Sequence, residues 1–218
     1  LTGSSSSSNA TSNVPFAAFH VHPYAISSKA STAKFPVDIP PGREDFGIDA
    51  CSSNVSSTRD EEKASISATN NDELKCQAVQ VVSLDGFVER HISSSGMIDF
   101  LQIDAGDFNF EVLQGGKNTL ARTRYLEFEY HDIGMWKQQT LEDAVRVLDE
   151  QHGFTCYLLG KSRLFRLTKC WIDVFGSHTR SNIGCVSRNE VNWALIMESV
   201  FVKTIYSTSQ HLSSSLEV

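Results

Sequence analysis

No run in the 218-residue sequence is long and apolar enough to cross a bilayer, and no basic segment followed by an apolar one opens it. As given, it reads as a soluble domain. An excess of basic residues is also missing: the net charge is -7 and the isoelectric point near 5.5. Phosphate-backbone binders display clustered Lys and Arg, so nucleic acid is excluded as a partner. The five cysteines, Cys51, Cys76, Cys156, Cys170 and Cys185, contain no CxxC pair. Their number and spacing suit neither a zinc site nor a regular disulfide framework, and most are expected to be core thiols. Glycine is scarce in the first third, where Gly3, Gly42 and Gly47 stand alone before residue 80. The first residue is Leu rather than Met, as expected of a processed chain or a piece of a longer one. Two glycosylation triplets, Asn9-Ala10-Thr11 and Asn54-Val55-Ser56, are too common in Ser-rich and Thr-rich sequence to assign a compartment.

What is present is 40% hydrophobic content, enough for one domain with a core. Residues 1–13 form a Ser-rich tail that cannot offset its ordering entropy, so disorder is expected there. Residues 15–26 contain a strand-like stretch, with Phe16, Phe19 and Val21, stopped near Pro23. Residues 34–71 are Pro-rich, then polar and charged, and read as a long loop or lid within a domain spanning 14–203. Val79, Val81, Val82 and Leu84 restore strand character, leading through Ser83-Leu84-Asp85-Gly86 into a helix over 87–92. After residue 107 a helix is closed by Gly115-Gly116, and a strand follows over 125–130. Leu141, Ala144, Val145 and Leu148 give residues 141–151 an apolar helical face that ends at Gly153. Residues 154–160 and 164–168 read as an antiparallel hairpin, 182–187 as a short strand, 191–202 as a closing helix and 204–218 as a polar tail. The alternation specifies an α/β fold.

Residues 97–130 carry the densest functional signal. Ile98, Phe100, Leu101 and Ile103 form a short run suited to a fully covered strand, and Asp104 and Asp107 arrive where it stops. Open α/β sheets place their chemistry at such strand ends. Glu129 and His131 stand at the end of the next strand, so two adjacent strand ends can bring these groups to one crevice. Each has a plainer reading: Asp104 or Asp107 as a helix N-cap, Glu127 and Glu129 as one solvated strand face. His20 and His22, two apart, share a face but lack a third ligand, so no zinc site is assigned. His152 at a helix end is a cation favourable to the dipole. Trp136 either walls an acceptor pocket or packs in the core.

In order, the phrases VVSLDGF, DFLQID with DF and EVLQGG, RYLEFEY, GFTCYLLGKSRLFRLTKCW and SNIGCVSRN resemble the carboxyl-terminal part of an FkbM-type S-adenosylmethionine-dependent methyltransferase. The likeness spans about residues 15–203 and is strongest over 79–189. It implies a Rossmann-like class I methyltransferase sheet, incomplete at its amino-terminal side and ending in an antiparallel hairpin. It further implies S-adenosyl-L-methionine as cofactor, a hydroxyl of a sugar, glycan or other small metabolite as acceptor, and Ala25 beside the cofactor's adenine.

Two departures from the family pattern stand out. Gln102 replaces the Lys that commonly precedes the central Ile-Asp, and Gly106-Asp107 reverses the usual Glu-Gly order. The glycine-rich turn and the acidic strand end that hold the cofactor's methionine and ribose have no counterpart. Methyl transfer to a hydroxyl requires in-line alignment and a carboxylate or His near the acceptor. On that requirement and their place at adjacent strand ends, Asp104, Asp107, Glu129 and His131 are the candidates for the acceptor or metal side. Weak cofactor binding is expected if the chain is complete, and a catalytically inactive binding or scaffold module is the alternative. A third reading, a sugar-processing protein using Asp104 and Glu129 as a carboxylate pair, requires a suitable separation across an open groove.

Overall fold

The computed structural model describes residues 19–37, 51, 75–92, 96–131, 136, 138–177 and 180–215. The tail over 1–13 and most of the loop or lid over 34–71 lie outside the described residues. The described part is a mixed α/β structure with two sheets. Three strands, β1 (Tyr24–Ser27), β2 (Ser31–Pro36) and β3 (Cys76–Ser83), pair in the order β1-β3-β2, with β1 parallel and β2 antiparallel to β3. Five strands, β4 (Ile98–Ile103), β5 (Thr123–His131), β6 (Phe154–Leu159), β7 (Leu164–Arg166) and β8 (Arg180–Ser187), pair in the order β4-β5-β8-β6-β7. β4 and β5 are parallel, β8 runs antiparallel to both β5 and β6, and β6–β7 is the expected antiparallel hairpin.

The helices begin where local chemistry places them. Ser83 caps α1 (Leu84–His91), its hydroxyl accepting from the Gly86 amide at 3.1 Å, and Leu84 and Val88 turn inward. Thr140 caps α4 (Leu141–His152) in the same way through the Asp143 amide at 3.1 Å. Gly153 ends α4 in the left-handed region at φ 71°. Asp85 accepts from the Asn118 amide at 2.9 Å and from the amide and hydroxyl of Thr119 at 2.7 Å. It thereby ties α1 to the start of α3 (Lys117–Ala121), which follows α2 (Asn109–Gln114). Between these two helices a Cβ on Gly115 would lie 2.3 Å from the Ser27 carbonyl oxygen, and one on Gly116 2.6 Å from Leu84 Cδ2. Only glycine lets this junction sit against β1 and α1.

One face of the five-stranded sheet forms the core, with Leu126, Phe128, Ile183, Cys156 and Cys185 buried beside the apolar side of α4. The opposite face carries Tyr125, Glu127, Glu129 and His131, since alternate residues of β5 point the other way. α5 (Val191–Ser215) covers part of that second face near β7 and β8. Glu198 holds it there, accepting from the Tyr157 hydroxyl at 2.6 Å and pairing with Arg166 at 3.0 Å.

Several expectations are corrected. The apolar run at β4 is not a covered strand: β4 is an edge of its sheet, and Phe100, stacked on Tyr125 with centroids 5.4 Å apart, is 52% exposed. An apolar run alone does not distinguish an interior strand from an edge that shelters one face. The first strand starts after Pro23 rather than stopping there, and Phe19 and Val21 are exposed. β2 takes Lys34–Pro36 out of the expected loop, and α5 continues through most of the expected polar tail to Ser215. Four of the five cysteines are paired, Cys51 with Cys76 and Cys156 with Cys185, leaving an exposed Cys170. Cys156 and Cys185 are direct cross-strand partners of β6 and β8, a register that sequence spacing does not reveal.

Candidate functional site

At the carboxyl ends of the parallel pair β4–β5 the outer sheet face opens into a cleft of about 240 Å³. Gln102, Ile103 and Asp104 line it from β4 and the following loop, Glu127, Phe128 and Glu129 from β5, and Asn182 from β8. Register explains the convergence: Gln102 pairs with Glu127 and Glu129 with Asn182, so these four side chains share a face. Asp104 continues the alternation of β4 and is exposed at the rim.

Glu129 is held from two sides. His131 Nε2 lies 2.8 Å from Oε2 and Arg180 Nε 3.0 Å from Oε1. The contact orients the His131 ring, with Nε2 turned toward the carboxylate. Glu127 accepts a long hydrogen bond from the Tyr125 hydroxyl at 3.3 Å. Burial, then the charge and the hydrogen bond of Glu127, push the Tyr125 phenol up to about 12. The cleft therefore sets a guanidinium-neutralised carboxylate, Glu129, beside two that no ion pair neutralises among the described residues, Asp104 and Glu127.

Asn109 positions the loop. Wholly buried, its Oδ1 accepts from the Ala105 amide at 2.6 Å and its Nδ2 donates to the Glu129 carbonyl at 2.7 Å. It joins the loop leaving β4 to the end of β5, so Asp104 and Glu129 are held in relation to each other. Neither aspartate occupies an N-cap position. The 3-10 turn Gly106–Phe108 starts from Ala105 and α2 from Phe108, neither with a side-chain cap, and Asp107 falls inside the turn. Nothing is described of the Asp107 side chain.

The other candidates lie apart. Ala25 is a half-buried residue of β1, paired with Val81 in the three-stranded sheet, and does not line the cleft. Trp136 is buried in the core, 6.1 Å from Phe128 and stacked on it, with Phe110 and Tyr130 edge-on. His152 is not a favoured cation at its helix end: burial first, then Lys117, lowers its pKa against the opposing pull of Asp85. His22 has His91 beside it, 4.3 Å between ring centroids, and His20 lies 6.5 Å from His22. No group of three or more His, Cys, Asp or Glu among the described residues is arranged to hold a metal ion.

Sequence reasoning brought Asp104 and Glu129 to one cleft but missed Asn109, Arg180 and Asn182. The signal for Asn109 was a polar residue between Phe108 and Phe110 on an otherwise apolar turn. Arg180 and Asn182 depend on strand register, for which no local signal exists.

A family model described as the methyltransferase FkbM domain matches residues 12–156. No curated protein and no solved structure matches the chain. The matched range contains β1 to β5 and α4 and ends within β6, so it includes both parallel strands that build the cleft. The chain belongs to the FkbM methyltransferase family.

Proposed function

We propose that this chain acts as an S-adenosylmethionine-dependent O-methyltransferase, with the β4–β5 cleft receiving a hydroxyl of a sugar or other small metabolite. The observation that carries the reading is the convergence of Asp104 and Glu129 at adjacent carboxyl ends of parallel strands, in a chain of a methyltransferase family. Asp104, exposed at the rim, accepts the hydroxyl proton or orients it by a hydrogen bond. Glu129, paired with Arg180, instead fixes His131. Gln102 and Asn182 offer amide groups that donate to and accept from a polyhydroxylated acceptor.

The cofactor supplies an already electrophilic methyl group when bound. The described residues do not fit it as a complete cradle: β4 is a free edge, and β1 with Ala25 belongs to the other sheet. Gly106, in the left-handed region at φ 56°, is the one described glycine of that kind at a parallel strand's carboxyl end. Nothing is therefore assigned to the donor side beyond Ala25, and the chain's own residues are read as acceptor-side machinery. The same observation favours a second reading, a methyltransferase-shaped module that binds without catalysing. Calorimetric titration with S-adenosylhomocysteine separates them. Saturable heat supports the enzyme, and its absence at protein concentrations that reveal millimolar affinity supports the binding module.

A further inference from the structure

Residues 19–23 lead into β1 with almost nothing to hold them. Phe19 is 90% and Val21 80% exposed, His20 and Pro23 are exposed as well, and only His22 is partly sheltered. The His22 ring sits edge-on to Phe87 at 5.2 Å and lies 4.3 Å, centroid to centroid, from His91 at the last position of α1. Phe87 and His91, one turn apart, are themselves 4.9 Å from each other. Tyr24 at the start of β1 closes the cluster, 5.6 Å from His91 and 6.2 Å from Phe87.

We propose that His22 and His91 form a proton-sensitive clasp, which holds residues 19–23 against α1 while both rings are neutral and releases them when the rings are protonated. Neutral imidazoles pack on aromatic neighbours as flat, largely apolar rings. Two imidazolium ions in contact repel, and the groups around them offer no relief. From α1 the facing charge is Arg90, from the segment His20 stands 6.5 Å from His22, and from β1 the neighbour is the Tyr24 ring, 5.6 Å from His91. Neither ring makes a hydrogen bond or ion pair with a carboxylate among the described residues, in contrast to His131, which has Glu129. Burial, His22 and Arg90 together lower the His91 pKa from 6.5, although a helix carboxyl end alone favours a cation. A lowered value means that the clasped form takes up protons less readily than the released one. Attachment is complete above 6.5 and is lost as pH falls through the lowered value.

Nuclear Overhauser contacts from the His22 ring to Phe87 and to the ring at position 91, followed across pH, test the clasp. These contacts are expected to be present at about pH 8 and lost at about pH 5. His91→Phe keeps a ring in place but cannot charge, and is expected to hold the segment at both pH values. In a parallel NMR titration, His22→Phe is expected to raise the His91 pKa toward the ordinary value. Equal wild-type ring contacts at both pH values would overturn the clasp. So would the same acid loss in His91→Phe, or a His91 pKa indifferent to His22→Phe.

Discussion

The side-chain amide of Asn109 donates to the main-chain carbonyl of Glu129 at 2.7 Å, while its oxygen takes the Ala105 amide at 2.6 Å. One buried side chain thus satisfies two backbone groups from residues 105 and 129 and sets the spacing between the acidic strand ends.

Replacing Asn109 by Ala leaves an amide and a carbonyl without partners in a fully buried site. Each such group costs about 1 to 3 kcal/mol, so a loss of about 2 to 6 kcal/mol is expected in urea denaturation, with an unchanged slope. Asn109→Asp keeps the acceptor but turns the donor into a second oxygen facing the Glu129 carbonyl, and is expected to be no better tolerated.

Gly115→Ala forces a Cβ to within 2.3 Å of the Ser27 carbonyl oxygen, which is backbone and cannot swing aside. A destabilisation of about 1 to 3 kcal/mol is expected from overpacking. Gly96→Ala, where nothing lies within 4 Å, is expected to leave the thermal midpoint nearly unchanged. Equal midpoints for the two variants would show that α2 and β1 do not touch in solution.

On the proposed reading, Asp104→Asn lowers kcat/KM for methyl transfer by about 10²- to 10⁴-fold, the range for losing a positioned base. Its exposure at the rim predicts little change in stability. Glu129→Gln releases His131 and leaves Arg180 unpaired, so it lowers activity together with stability. A full-rate Asp104→Asn enzyme would remove Asp104 from the chemistry.

Tyr125 should ionise near pH 12 in an ultraviolet absorbance titration, against 10.0 for a free phenol. With the folded value raised, the tyrosine's contribution to stability is intact below pH 10 and is lost as pH rises toward 12. Since burial is the first cause and Glu127 the second, Glu127→Gln is expected to bring the value only part of the way back.

Reduction of the buried Cys156–Cys185 bridge, which spans 29 residues, is expected to cost about 3 to 4 kcal/mol on a chain-entropy estimate. Comparing the denaturation of the oxidised protein with that of the double variant Cys156→Ser, Cys185→Ser measures it, with the Cys51–Cys76 bridge kept in both. Cys170 alone should react with a thiol reagent in the oxidised native protein.

The sequence by itself determined the segments and their chemistry. Leu141, Ala144, Val145 and Leu148 recur at the helical period, Thr140 and Gly153 bound the helix, the hairpin at 154–166 carries its own turn, and Asp104 follows an apolar strand. All of these are written in spacings of a few residues, where backbone geometry and side-chain type act together. Only the tertiary structure decided that β4 is an edge rather than an interior strand, and that Cys156 faces Cys185. It also brought Arg180 to Glu129, placed Asn109 between two strand ends and set His91 against His22. Each of these joins residues far apart in the chain, and depends on strand order and register. A displacement of one residue in register would turn every side chain of a strand to the opposite face, while leaving its local pattern untouched.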